Sequence, residues 1–169
     1  MAKASAGGGG DRHPQASIAG MVIVRLFVGA FFLYAAYTKL ADPAAFIHAL
    51  ARETAEGGSY IVHAAWPGFA DFLRQTVAPH ATLFGWLVMI GECLAGGLLF
   101  LGLLTRLAAV IAILLSATYL LATLYSSAAS WGINAAFLTM EVAVLVAAAG
   151  RTCGIDRVLA RHARVKLLF

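Results

Sequence analysis

Apolar residues gather into four long runs along this chain, at about 18–39, 82–104, 107–125 and 131–149. Each approaches the ~20 residues that a helix needs to cross a ~30 Å hydrocarbon core. The runs are continuous. Barrel strands would instead alternate with period two over about ten residues. In lipid a helix satisfies its own backbone hydrogen bonds, so the pattern predicts four transmembrane helices. Two of the connections are very short, "TR" at 105–106 and "SSAAS" at 126–130, and short connections make neighbours antiparallel. The expected fold is all-α: a polytopic membrane protein built as an antiparallel four-helix bundle, occupying residues 18–160.

The remaining connection, 40–81, carries its own amphipathic pattern. "DPAAFIHALARE" opens with Asp42 at an N-cap position and Pro43 at N1, where the missing N–H costs nothing. Phe46, Ile47 and Leu50 then form one apolar stripe. "PGFADFLRQTVAP" repeats the theme between two prolines, with Phe69, Phe72, Leu73 and Val77 on one face. Two short helices lying on the end of the bundle are predicted, with "ETAEGGSY" as an exposed turn between them. Residues 1–17 are Gly-rich and polar and read as a disordered tail, not a cleaved signal. Residues 150–169 read as a basic tail.

Composition agrees with the pattern. Of 169 residues, 62% are hydrophobic and 12% charged, against about 45–50% and about 25% in soluble domains. The net charge of +4 suits basic ends facing an anionic leaflet better than nucleic acid, for which no basic run interleaved with aromatics is present. Lys3, Arg12, Arg106, Arg151, Arg157, Arg161, Arg164 and Lys166 fall on the side of the termini. Only Lys39, Arg52 and Arg74 fall on the other. The positive-inside rule therefore puts both termini in the cytoplasm, across a bacterial-type inner membrane, and the long connection outside. Trp66, Trp86, Trp131, Tyr37 and Tyr125 mark the outer boundary as an aromatic belt. Proteolytic release of the carboxy-terminal tail from the external face of intact cells would reverse this orientation.

Three ionisable residues lie deep in the runs: Arg25, Glu92 and Glu141, with Lys39 at the outer end of the first. Such groups are costly in lipid and face the bundle interior or a wet cavity. Counted at 1.5 Å per residue, Glu92 and Glu141 both fall near mid-membrane, and Arg25 is expected to pair with Glu92 with Glu141 nearby. The surplus of carboxylate over cation makes this cluster a candidate proton or quinone site. Phase groups the residues further. Asn134, Leu138 and Glu141 share a face of the fourth helix, and Arg25, Phe32 and Lys39 share a face of the first. Ala95, Gly96 and Leu99 flank Glu92. Small residues at four-residue spacing, Ala108, Ala112 and Ser116, let helices approach closely.

Other chemistries are disfavoured. Cys93 and Cys153 form no CxxC, which speaks against thiol–disulfide exchange and zinc. His13, His48, His63, His80 and His162 all lie outside the runs or at their edges, whereas a haem inside a bundle wants histidines within the spans. Neither haem, flavin nor metal is expected, and no catalytic triad, P-loop or dinucleotide-binding motif is present.

Several elements in order resemble the DoxX family, including the DoxD-like subunit of thiosulfate:quinone oxidoreductases. They are Arg25 and Gly29 in the first span, Lys39 followed by "ADP", and Gly91–Glu92 in the second span. Gly102 and Arg106 follow at the short turn, and "GRTCGIDRVL" closes the series. The resemblance implies a small four-helix membrane protein working beside redox enzymes, in some members as a quinone-reactive subunit. Arg25, Lys39, Glu92 and Arg106 would then be its polar core. Three function classes result. The first is a quinone-linked redox subunit whose electrons come from a partner: Arg25, Glu92 and Glu141 would act on protons, and Lys39, Asn134, Phe32 and Arg106 would line the ligand site. The second is a non-catalytic accessory subunit of a larger membrane complex, with the Arg/Glu cluster structural. The third, a small-solute transporter, is least supported, since no inverted repeat or broken helix is evident. Membrane lipid is the expected surrounding, and a homo-oligomer is compatible with the chain.

Overall fold

In a computed structural model, residues 13–147 and 154–156 are described, with side chains from residue 20 onward. Among the described residues the α-helices are, in order, α1 His13–Leu40, α2 Pro43–Thr54, α3 Ser59–Val62, α4 Pro67–Phe72, α5 Ala81–Leu101, α6 Thr105–Thr123 and α7 Ala128–Ala147. No strand occurs among the described residues. Four stretches are long and apolar enough to cross a membrane: Gly20–Leu40, Pro67–Leu101, Thr105–Thr123 and Ala128–Ala147. The protein is an all-α polytopic membrane protein.

The long helices close a ring, α1 on α5, α5 on α6, α6 on α7 and α7 back on α1. Val28, Leu99, Ala108, Ala109, Ala112 and Val144 are wholly or almost wholly buried at its centre. The three alanines keep α6 thin enough for its neighbours to close around it. Large apolar side chains cover the outside, as lipid requires. Tyr37, Trp66, Trp86, Tyr125 and Trp131 are all exposed.

Glycines fix how α1 crosses α5. A Cβ at Gly29 would stand 2.8 Å from the Phe100 backbone nitrogen and 3.1 Å from the Gly96 oxygen; one at Gly96 would stand 2.7 Å from the Leu33 nitrogen. The two backbones are in direct contact there. Continuing this antiparallel register sets Glu92 opposite Tyr37, next to Lys39, and Arg25 opposite Leu104 at the far end.

The long connection forms a layer over the bundle end that holds Lys39. Asp42 caps α2 as the sequence predicts, its carboxylate accepting from the Ala45 N–H at 2.9 Å. Ile47 seats α2 in the notch left by Gly85 of α5. Two features differ from expectation. Thr54, inside the stretch read as an exposed turn, is fully buried and donates to the Leu50 carbonyl at 2.7 Å. The second short helix is not separate: α4 runs through a π-helical turn, Leu73–Val77, and a 3₁₀ turn, Ala78–His80, straight into α5. Pro79 has no N–H and its ring clashes with the carbonyl four residues back in a regular α-helix. The local change of hydrogen-bond spacing lets the helix continue past it. In addition, α1 begins at His13, inside the segment read as a disordered tail.

At the opposite end the α5–α6 turn is pinned from afar. Gly102 takes the left-handed conformation (φ 66°) and Leu104 does so too (φ 48°), a strained choice for leucine. Asp156, fully buried, accepts from the Leu104 N–H at 2.6 Å and the Thr105 N–H at 2.9 Å, and donates its own N–H to the Gly102 carbonyl at 2.9 Å. It is therefore an N-terminal cap for α6 delivered from about fifty residues downstream, where a carboxylate also favours the helix dipole. The rest of the basic tail, 150–153 and 157–169, lies outside the described residues.

Candidate functional site

The polar centre of the bundle is Glu92. It is 1% exposed, on the face of α5 that also carries the buried Ala95, Gly96 and Leu99. Lys39 Nζ donates to both carboxylate oxygens, each at 2.7 Å, and the Tyr119 hydroxyl donates to Oε1 at 3.0 Å. Lys39 is 18% exposed and Glu92 2% by side chain, so the pair meets its surroundings almost only through the lysine. The ammonium also lies 5.4 Å from the Phe46 ring centre and 5.8 Å from that of Tyr119. Two aromatic faces and a carboxylate thus enclose it.

This corrects the expected Arg25–Glu92 pair. Arg25 is buried, but its guanidinium lies against Gly102 and Gly154 at the other end of the bundle; a Cβ at Gly154 would stand 2.9 Å from its Nη1. The two glycines provide its room. Counting depth from the predicted span ends set Glu92 near mid-membrane, within an arginine's reach of Arg25. The actual crossing, with Gly29 against Phe100 and Gly96 against Leu33, sets Glu92 nearer the Lys39 end and hands the carboxylate to lysine.

Glu141 forms a separate site. It is fully buried on α7, and Oε1 accepts from Ser116 Oγ of α6 at 2.7 Å, while Oε2 has no partner among the described residues. Ser116 and Tyr119 lie one turn apart on α6, so this helix supplies a hydroxyl to each buried carboxyl. Asn134, half-buried, donates to Thr123 Oγ1 and the Ser130 carbonyl, both at 3.1 Å, near the Lys39 end. Phe32 is in the core at 4% exposure. Arg106 is half-buried in the first turn of α6, at the Arg25 end. Of the seven expected site residues, the structure brings together only Lys39 and Glu92.

Sequence reasoning missed Tyr119. The signal was there: the buried stripe Ala108, Ala112, Ser116 extends by three residues to Tyr119, the one aromatic hydroxyl on that face of α6. Beside Tyr119 lies a cavity of about 270 Å³, bounded by α2, α3, the π-helical turn, α5 and α6. Its lining is apolar apart from Tyr60, Tyr119, Thr54 and Thr118.

No group of three or more potential metal ligands occurs among the described residues. The rings of His63 and His80 are each tied back to a carbonyl of their own segment, Ser59 and Thr76, at 2.9 Å.

The sequence profile of one family, described as TQO small subunit DoxD, matches residues 21–168 and so takes in all four spans. The chain belongs to the DoxD family. No curated protein and no solved structure gives a match. The broader resemblance to DoxX narrows accordingly to DoxD. Of the elements that carried it, Lys39, Gly91 and Glu92 lie at or beside the ion pair. Arg25, Gly102 and Gly154 lie together at the opposite end.

Proposed function

We propose that this DoxD-family chain is the quinone-linked membrane subunit of a larger redox complex, and that Glu92 exchanges protons with the quinone through Tyr119. Reduction of a quinone to its quinol takes up two electrons and two protons. A partner subunit supplies the electrons, and this chain handles protons. The family description, a small subunit, supports assembly with a partner. The resemblance to the quinone-reactive subunit of thiosulfate:quinone oxidoreductases supports quinone as the carrier. The observation that carries the reading is the Lys39–Glu92–Tyr119 chain: a carboxylate buried in the bundle, linked to an apolar cavity by a phenol that can pass a proton along its hydrogen bond. Lys39 connects the same carboxylate to the layer of short helices. With the termini cytoplasmic, that layer and its protons are on the external side of a bacterial-type inner membrane.

Glu92→Gln removes the carboxyl that would carry the proton and keeps the size of the side chain. Turnover of the assembled complex with quinone is expected to fall by about 10²-fold, while size-exclusion and thermal profiles show the subunit folded and incorporated. Unchanged turnover removes Glu92 from the reaction. A second reading, an accessory subunit with a structural ion pair, is favoured by the full hydrogen bonding of both Glu92 oxygens. It requires that Glu92→Gln lower stability and leave turnover intact.

A further inference from the structure

The cavity beside Tyr119 carries two phenols in an otherwise oily wall, and their hydrogen-bonding states differ. Thr54 and Thr118 also line it, but their hydroxyls already donate to the carbonyls of Leu50 and Leu114, at 2.7 and 2.8 Å. Tyr119 has spent its proton on Glu92, at 3.0 Å, and keeps oxygen lone pairs. Tyr60 is half-buried, and among the described residues its hydroxyl has no partner. Burial, and secondarily the nearby charge of Glu53, push the Tyr60 phenol above its ordinary value, so it remains a donor throughout the neutral range. The site thus offers one unused donor and one acceptor that is backed by a carboxylate.

Size and access narrow the occupant. A volume of about 270 Å³ is near the low end of the ~300–1,000 Å³ usual for small-molecule pockets. It suits one substituted six-membered ring, with no room for a long tail. Leu87 and Leu114 line the cavity yet are 54% and 63% exposed. Its mouth therefore faces lipid between α5 and α6, and a tail would leave there into the bilayer. Leu73 and Val77, both buried, close it from the π-helical turn.

We infer that this cavity binds the head ring of a lipid-soluble quinone or quinol, with Tyr60 donating to one ring oxygen and Tyr119 facing the other. The inference rests on the quinone-linked reading above and locates its substrate. A carbonyl accepts from Tyr60. A quinol hydroxyl donates to Tyr119, whose own proton already points at Glu92. An acyl chain would fill the same volume and use neither phenol.

The full chain in lipid nanodiscs is titrated with a decyl-substituted benzoquinone and, separately, with decylbenzene, which has the same tail and no ring oxygens. Wild type is expected to bind the quinone and to bind decylbenzene at least tenfold more weakly. Tyr60→Phe, which changes one oxygen and no packing, is expected to raise the quinone Kd by about five- to tenfold, as loss of one hydrogen bond requires. Ala122→Phe, which fills the cavity from α6, is expected to abolish binding. Equal affinity for decylbenzene would make the cavity an oily slot and overturn the inference. So would wild-type quinone affinity in both variants, which would put the ring elsewhere, or no quinone binding at all. None of these outcomes decides whether Glu92 serves a quinone reaction. That is read separately, from turnover of the complex carrying Glu92→Gln.

Discussion

Lys39→Met lowers the unfolding free energy of the protein in mixed micelles by about 3–5 kcal/mol, the cost typical of removing one partner of a buried ion pair. The size of the effect follows from the asymmetry of the pair. Lys39 is the only cation on Glu92 among the described residues, and it holds both oxygens at 2.7 Å. Without it, Glu92 keeps a single bond, from Tyr119. Its other oxygen then loses its hydrogen-bond donor in a residue that is 1% exposed. In whichever protonation state the carboxyl settles, two strong charge-assisted bonds are lost. The double variant Lys39→Met, Glu92→Gln removes both charges and is expected to recover most of the loss, since replacing a buried pair by neutral groups is often close to neutral. A double variant no more stable than Lys39→Met would mean that Lys39 acts through packing on Phe46 and Tyr119.

The second large effect is expected at the α1–α5 crossing. Gly29→Val places a Cβ 2.8 Å from the Phe100 nitrogen and 3.1 Å from the Phe100 Cα. The obstructing atoms are backbone, so no rotamer change relieves the clash and the helices must part. Overpacking ordinarily costs about 1–3 kcal/mol, and Gly29→Val is expected to exceed that range or to prevent folding. Gly97→Ala, on α5 next to the contact residue Gly96, meets nothing within 4 Å. It is expected to be neutral or slightly stabilising, because alanine is the better helix former by up to about 1 kcal/mol. Unfolding of both in parallel separates the crossing from any general sensitivity of α5. A Gly29→Val protein as stable as Gly97→Ala would show that the crossing is not tight.

The four spans were legible because lipid demands long, uninterrupted apolar helices, and this chain writes them plainly. The fused α4–α5 helix was not, because Pro67 and Pro79 read locally as boundaries. Only the π-helical turn, which the sequence does not announce, reconciles Pro79 with continuation. The inward faces were also legible: Arg25, Phe32 and Lys39 on α1, and Glu92 with Ala95, Gly96 and Leu99 on α5, do point inward. The partner of Glu92 was not. Periodicity gives the angle of a residue around its helix but not the height at which two helices meet. That height is set by the contact of Gly29 with Gly96, which no spacing rule supplies. Tyr60 was beyond reach for a similar reason. Its place at the cavity depends on where a four-residue helix comes to rest over α6, where Ala65 and Tyr125 N–H groups bond the Leu121 and His63 carbonyls at 2.8 and 3.3 Å.

The continuous stretch Pro67–Leu101 spans 35 residues, roughly 50 Å if fully helical, well beyond the ~30 Å of a hydrocarbon core. One end of this rod is part of the layer of short helices and its α5 portion carries Glu92, so the two are mechanically joined. The π-helical turn, with Leu73 and Val77, is where the rod passes from one to the other. Bilayer thickness then becomes a mechanical input. If a thicker or thinner membrane tilts or bends the rod at that joint, the residues of that turn which line the cavity, Leu73 and Val77, are carried with it. On that coupling, the thickness of the surrounding lipid would enter the shape of the pocket.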